Sequence, residues 1–306
     1  MPNRKEFLKL SATAALGSFL LPKNVDAFFK KQHAIGIQLF TFFNVMDADV
    51  PGTLKKIAAI GYKEIESAFS KKGGFYGMKA KEFGAMVKDL GMSWKSHHVL
   101  GAPFKLLAGA KLPNGADGKP ITIPPMRNLR DNYQQIIDEV GEAGVPYLVC
   151  ANTPIGSIEE VKQSIATLNK ASEAATRAGI TLAYHNHDSE FESLDGKTIY
   201  NRILDDTNPD TLKMELDLCW VTKAGVDPVA LFKKYPGRFP LWHVKDLDKD
   251  KKLPLPVGTG TVNFERIFAH AKVSGMKHFF VEHDNPADPF ASITTSYNNL
   301  KKILRS

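Results

Sequence analysis

Four short apolar stretches of this chain end in side chains that bind metals or move protons: Thr181–Phe191, Leu212–Asp217, Leu241–Asp246 and His278–Asp284. The first opens Thr-Leu-Ala-Tyr and closes on His185, Asn186, His187, Asp188, Ser189 and Glu190. Runs this short and apolar read as buried strands. Buried strands that all become chemical at one end constrain the fold sharply. They lie parallel, with their carboxyl ends gathered on one rim, and the arrangement that does this is a closed parallel barrel.

The rest of the chain fits that reading. Predicted strands are Ala34–Thr41, Tyr62–Ala68, Ser93–Val99, Tyr147–Ala151, Thr181–His187, Leu212–Cys219, Leu241–Lys245 and His278–Glu282. Between them fall helix-period segments such as Thr53–Ile60, Lys81–Leu90, Leu129–Ala143, Ile158–Ala178 and Val229–Tyr235. Several segments end in glycine (Gly61, Gly91, Gly144, Gly179, Gly275), the residue that takes the left-handed conformation closing a helix. Strand then helix, eight times over in 306 residues, predicts an α/β protein with one (β/α)8 barrel domain. An open doubly wound sheet would want a glycine-rich turn after the first strand, and Gln38-Leu39-Phe40-Thr41 provides none. The connection Leu100–Arg127 is long and rich in proline and glycine, and it follows a strand. It is expected on the active-site face, as a lid in preference to a passive insertion.

The amino-terminal end reads differently. Arg4, Lys5 and Lys9 precede Leu10–Leu21, an apolar run without acidic residues that is too short to span a bilayer. Residues 1–27 are therefore expected to be an export signal of twin-arginine type, with Lys5 in place of the second arginine. The mature chain would begin at residue 28, located in the periplasm and free of the membrane once the signal is cleaved. A cytoplasmic protein with an amphipathic leading helix is the alternative. The net charge of +7 does not imply nucleic acid, because the basic residues are scattered in pairs such as Lys55-Lys56 and Lys233-Lys234, without a recognition motif. Cys150 and Cys219 read as small buried apolar residues within strands.

The strand ends carry the chemistry. Glu215 and Asp217 share a strand face by their two-residue spacing. His243 and Glu282 end the next two strands. Clustered buried carboxylates are costly unless a cation neutralises them. Mixed histidine and carboxylate donors suit Mn²⁺, Co²⁺, Zn²⁺ or Fe²⁺ better than Ca²⁺. On the fifth strand His185 and His187 share a face and Glu190 lies just beyond; any of the three could be a ligand, leaving the others for acid/base or hydroxyl-binding work. Glu66, His97 and Asn152 are candidates for substrate contacts, whereas His98 is expected to face the other way. Lys245 suits an anionic oxygen or an enolate, or a pairing with Asp246. Gly258-Thr259-Gly260 lacks the lysine and helix of a phosphate loop and reads as a tight rim turn.

Tyr184–Phe191, Glu215-Leu216-Asp217 with Trp220, His243–Asp246, Val257–Gly260 and Val281–Asp284 together resemble the sugar phosphate isomerase/epimerase group of the xylose isomerase-like TIM barrels. The resemblance covers residues 34–304. It implies one divalent metal, manganese preferred with cobalt, zinc, iron or magnesium allowed, held by Glu, Asp, His and Glu of the last four strands. Asp217, His243 and Glu282 match that pattern. The usual Glu-Asn-His of strand five reads His185-Asn186-His187 here, so Glu190 or His185 is expected to stand in as the ligand. The resemblance further implies proton abstraction next to a sugar carbonyl through an enediolate, with Glu282, His185, His187, Glu190 and Lys245 as catalytic candidates. Isomerisation or epimerisation is the leading expectation. A lyase acting on a keto-sugar or 3-keto-glycoside and a non-catalytic sugar-binding barrel are the alternatives. An endonuclease IV-like phosphodiesterase is disfavoured, because no trinuclear zinc cluster can be assembled. A small sugar is the expected partner, nucleic acid is not, and a homo-oligomer is left open.

Overall fold

A computed structural model describes residues 34–104 and 126–305. The expected export signal and most of the expected lid lie outside the described residues. Eight parallel strands close into a barrel in which each strand neighbours the next in sequence and the last pairs with the first. They are β1 (Gly36–Gln38), β2 (Glu64–Ser67), β3 (Ser93–Leu100), β4 (Tyr147–Asn152), β5 (Thr181–His185), β6 (Leu212–Asp217), β7 (Leu241–Val244) and β8 (His278–Val281). Helices such as Val50–Ile60, Ala80–Asp89, Leu129–Glu142 and Ile158–Arg177 follow the strands. Their starts are written in the sequence: Asn128 and Ser157 accept hydrogen bonds from the third residue on, Asp131 N at 3.0 Å and Glu160 N at 3.2 Å. The positive φ of Gly144 (70°) and Gly179 (74°) closes two of them.

The barrel interior is layered, and the layering places the site. Val149, Ala183, Leu241 and Phe280 pack together as a buried apolar cluster. Two residues further along the same strands, and so on the same face, come Ala151, His185, His243 and Glu282. The strands therefore pass from core to chemistry within one step of the pleat. Gly36 is needed at this layer because a Cβ would lie 2.5 Å from the Phe280 ring and 2.7 Å from the Phe279 carbonyl oxygen.

Two local features depart from the sequence reading. On β3 the pairing runs Glu64 to Ser93 and Ile65 to Trp94, then jumps to Glu66 opposite Ser96, so Lys95 is an inserted bulge residue. A bulge reverses the alternation beyond it. His97 consequently turns outward and His98 inward, the opposite of the expected pair. Cys219 is not in a strand. Asp217 Oδ1 accepts hydrogen bonds from Cys219 N (2.8 Å) and Trp220 N (2.9 Å) and starts the helix Leu218–Lys223. Both cysteines are buried and free.

The turn through Gly258 and Gly260 is built around a carboxylate of the chain itself. Asp246 Oδ1 accepts from Leu247 N (2.9 Å) and Val262 N (3.0 Å), and Oδ2 from Gly258 N (2.9 Å) and Gly260 N (2.8 Å). Lys245 and Asp246 are adjacent in an extended segment, so their side chains leave in opposite directions and do not pair. Gly260 has no room for a side chain, since a Cβ would lie 2.3 Å from Leu247 O. Asp246→Ala removes four charge-assisted bonds from backbone donors, two of them buried and two partly buried. It is expected to cost about 3 kcal/mol of stability, read as a lower urea midpoint with an unchanged slope.

Candidate active site

The carboxyl ends of the strands converge on a buried network. Glu66 of β2, His98 of β3, His185 of β5, Glu215 and Asp217 of β6 and His243 of β7 are each at most 5 % exposed. So are Lys245 and Glu282, which directly follow β7 and β8. His243 is the hub: its Nδ1 lies 3.0 Å from Glu282 Oε2, and its Nε2 lies 2.5 Å from Glu66 Oε1 and 3.2 Å from Glu215 Oε2. His98 Nε2 lies 2.7 Å from Glu215 Oε2 and 3.2 Å from Glu66 Oε1. His185 Nδ1 lies 3.1 Å from Glu215 Oε2. Gln38 of β1 donates from Nε2 to Glu66 Oε1 at 2.8 Å.

Lys245 forms the second focus. Its Nζ lies 2.5 Å from Asp284 Oδ2, 2.6 Å from Glu282 Oε2 and 3.1 Å from Asp217 Oδ2, and it sits 4.8 Å above the Trp220 ring. Burial opposes the charge on Lys245, but Asp217, Asp284 and Glu282 outweigh it and hold the pKa well above the usual lysine value. Burial likewise opposes ionisation of Glu282, and Lys245 with His243 reverses this, holding the carboxyl well below its ordinary range. Burial raises the Asp217 pKa, against the pull of Lys245. His243 is pushed well above the ordinary histidine value by Glu215, Glu282 and Glu66, against the cost of its burial. Burial and the neighbouring His243 charge hold His185 well below that value. The site thus offers an ammonium, an ionised carboxylate and a neutral imidazole within one enclosure.

These groups open onto a pocket whose walls include Phe40, Phe69, Asn152, His187 and Trp220, with His98, His185, Lys245 and Glu282 behind them. Of the residues singled out in the sequence, Glu66, His185, Asp217, His243, Lys245 and Glu282 come together. His187 stands at the mouth, and the exposed Asn152 on the β4 wall. Glu190 does not join the carboxylates near His243. Its Oε1 accepts from Tyr184 Oη (2.8 Å), and its Oε2 accepts from His187 N (3.0 Å) and Ser189 Oγ (3.1 Å). It pins the turn after β5 and lies 3.7 Å from His187 Nδ1. His97 faces away from the network, with Nδ1 2.7 Å from Ser67 Oγ, and packs against Phe75 and Trp94. Its burial lowers the pKa to about 3, which keeps the ring neutral. His98 and Glu215 take the central places instead.

Two overlapping groups of ligand-type side chains could hold a metal ion: Asp217, His243 and Glu282, and deeper in the barrel His98, His185, Glu215 and His243. Within each group the donor atoms lie within 4.8 Å of one another. Glu66 Oε2 and Glu215 Oε1 are buried without a hydrogen-bond partner, whereas Asp217 Oδ2 meets the Lys245 ammonium at 3.1 Å. Imidazole and carboxylate donors with lone pairs to spare fit a first-row divalent ion.

A profile of the xylose isomerase-like TIM barrel family matches residues 54–303. The chain belongs to that family. Among solved structures it is similar to two proteins of Parabacteroides distasonis ATCC 8503 described as sugar phosphate isomerase/epimerase. One is 26% identical with a TM-score of 0.70, covering 88% of this chain and 93% of that one. The other is 25% identical with a TM-score of 0.72, covering 88% and 98%. The fold is shared with an L-ribulose 3-epimerase, which is 17% identical with a TM-score of 0.64, covering 89% and 95%. No curated protein matches the chain.

Proposed function

We propose that the chain is a divalent-metal-dependent sugar isomerase or epimerase that removes a proton next to a carbonyl, through an enediolate. The observation that carries this reading is the convergence of Lys245, Glu282 and His185 behind one pocket, with His187 at its mouth. A divalent ion, manganese preferred, would be held by His243 with Asp217 and Glu282 or with His98, His185 and Glu215. When bound it polarises the substrate carbonyl. Glu282, kept ionised by its neighbours, is the base on the β8 side. His187, backed by Glu190, faces it from the β5 side and returns or accepts the proton on the opposite face of the sugar. Lys245 directs its positive charge at the oxygen that becomes anionic. Trp220, Phe40 and Phe69 exclude water and offer flat apolar surface to a sugar ring.

Among the described residues lining this pocket, Lys245 is the only lysine or arginine, and three carboxylates already engage it. That favours an unphosphorylated sugar or an oxidised glycoside over a sugar phosphate. The reading of residues 1–27 as an export signal points the same way, to a periplasmic substrate, and no described helix is long and apolar enough to cross a membrane. The test is to offer manganese-loaded protein free ketoses, phosphorylated ketoses and 3-keto-glycosides, and to follow the products by NMR. An isomer or epimer of an unphosphorylated ketose is the expected product. Release of an aglycone would make the protein a lyase using the same base. A folded protein that binds these sugars and converts none would be a binding barrel, and the enzyme reading would fail.

A further inference from the structure

Three imidazole nitrogens converge on one oxygen at the barrel floor. Glu215 Oε2 lies 2.7 Å from His98 Nε2, 3.1 Å from His185 Nδ1 and 3.2 Å from His243 Nε2. His98 and His185 hydrogen-bond to that oxygen, while His243 Nε2 is held by Glu66 Oε1 at 2.5 Å in the same cluster. Meanwhile Glu215 Oε1 and Glu66 Oε2 are buried with no partner at all. Two buried carboxylate oxygens left idle beside three imidazoles make a poor hydrogen-bond network. It is a good ligand shell: around an ion with bonds of about 2.1 Å, neighbouring ligand atoms stand about 3 Å apart.

The rim group is different. Lys245 Nζ lies 3.1 Å from Asp217 Oδ2 and 2.6 Å from Glu282 Oε2, so an ammonium already compensates both carboxylates, and a divalent ion beside it would be repelled. A fourth ligand beside Asp217, His243 and Glu282 is also missing there, because Glu190 is spent on Tyr184 and on its own turn. Strand five supplies His185 instead, and His185 turns toward Glu215. His98 and His185 also line the pocket, so an ion among them would face the substrate from below.

We propose that the metal of this protein sits at the barrel floor, bound by His98 Nε2, His185 Nδ1, His243 Nε2 and Glu215 with Glu66 beside them, and that Lys245 takes the cation's place at the rim. The ion's catalytic role rests on the isomerase reading above; its binding does not.

The test is to titrate cobalt(II) into metal-stripped full-length protein, reading stoichiometry by equilibrium dialysis and coordination by visible absorption. Wild type is expected to bind one cobalt per chain. His98→Gln and His185→Gln are expected to weaken binding at least about 100-fold, whereas Asp217→Asn, whose carboxylate lies 3.8 Å from His243, should change it far less, and Glu282→Gln, which alters the partner of His243 Nδ1, by about 10-fold. The reverse pattern would overturn the floor site and leave a metal-dependent isomerase standing. No cobalt bound to wild type would also overturn it, with turnover of sugars in chelator then judging the isomerase reading separately. X-ray absorption of cobalt-loaded wild type needs no folded variant: three imidazoles in the first shell are expected, and one would contradict the placement.

Discussion

Glu282→Gln is expected to lower kcat by about 1,000-fold or more with a far smaller change in KM. The amide keeps the shape and can still hydrogen-bond, but it cannot take a proton. It also removes one of three carboxylates around Lys245, leaving Asp217 and Asp284 to hold the ammonium. The fold should therefore persist, and far-UV circular dichroism checks that the loss is chemical. Near-normal kcat in the purified, folded variant would remove Glu282 from the role of base. His243→Ala is expected to abolish turnover too, but less cleanly, since the His243 ring joins both halves of the network.

Lys245→Met is expected to have the second large effect, on stability as well as on rate. The buried ammonium stands among Glu282, Asp217 and Asp284, and removing it leaves like charges facing one another without a counterion. Breaking such a buried cluster costs about 3–5 kcal/mol, measured by urea unfolding at neutral pH. The deficit should shrink on acidification. In the variant the unpaired carboxylates have raised pKa values in the native state, so the native state binds more protons than the unfolded one and stability rises as pH falls. In wild type Glu282 is held low by Lys245, so its contribution is present above the unfolded carboxylate pKa and is lost as pH falls toward the folded one. The two proteins should thus differ most near pH 7 and least in mild acid. The turnover of Lys245→Met should fall about 100- to 1,000-fold. A variant as stable as wild type at pH 7 would mean that the ammonium is not the counterion of this cluster.

The barrel was legible because its strands announce themselves one at a time. Each is a short apolar run closed by a turn signal, and the core-facing residue and the chemical residue two places on follow from the pleat alone. Asp217, His243 and Glu282 could be placed together for that reason. What sequence could not show were events that break the period or cross the barrel. The extra residue at Lys95 exchanges the roles of His97 and His98, and its only trace is a polar residue inside a strand that tolerates one at many places. Glu215 was visible as a face-mate of Asp217, but its meaning comes from His98, His185 and His243, which reach it from β3, β5 and β7. Glu190 sits close to the right place in sequence. A single 3-10 turn (Ser189–Phe191) redirects it onto Tyr184 and the His187 amide, a rearrangement too local for periodicity to register.

The departure at strand five belongs with these. On the floor placement proposed above, strand five contributes His185 where three imidazoles meet, and the rim is left to Lys245. Lys245 and His185 are therefore read together, one supplying positive charge at the rim and the other a donor below it.

Proton removal next to a carbonyl leaves a trace that neither binding nor hydrolysis of a phosphodiester does. The most direct measurement is to incubate the metal-loaded protein with an unphosphorylated ketose in deuterium oxide and follow the carbon-bound hydrogens by NMR. Deuterium entering at the carbon beside the carbonyl with wild type, and not with Glu282→Gln, is the expected result. A sugar that is converted with that hydrogen untouched, or exchanged equally by both proteins, would contradict the placement of an acid/base pair around Glu282.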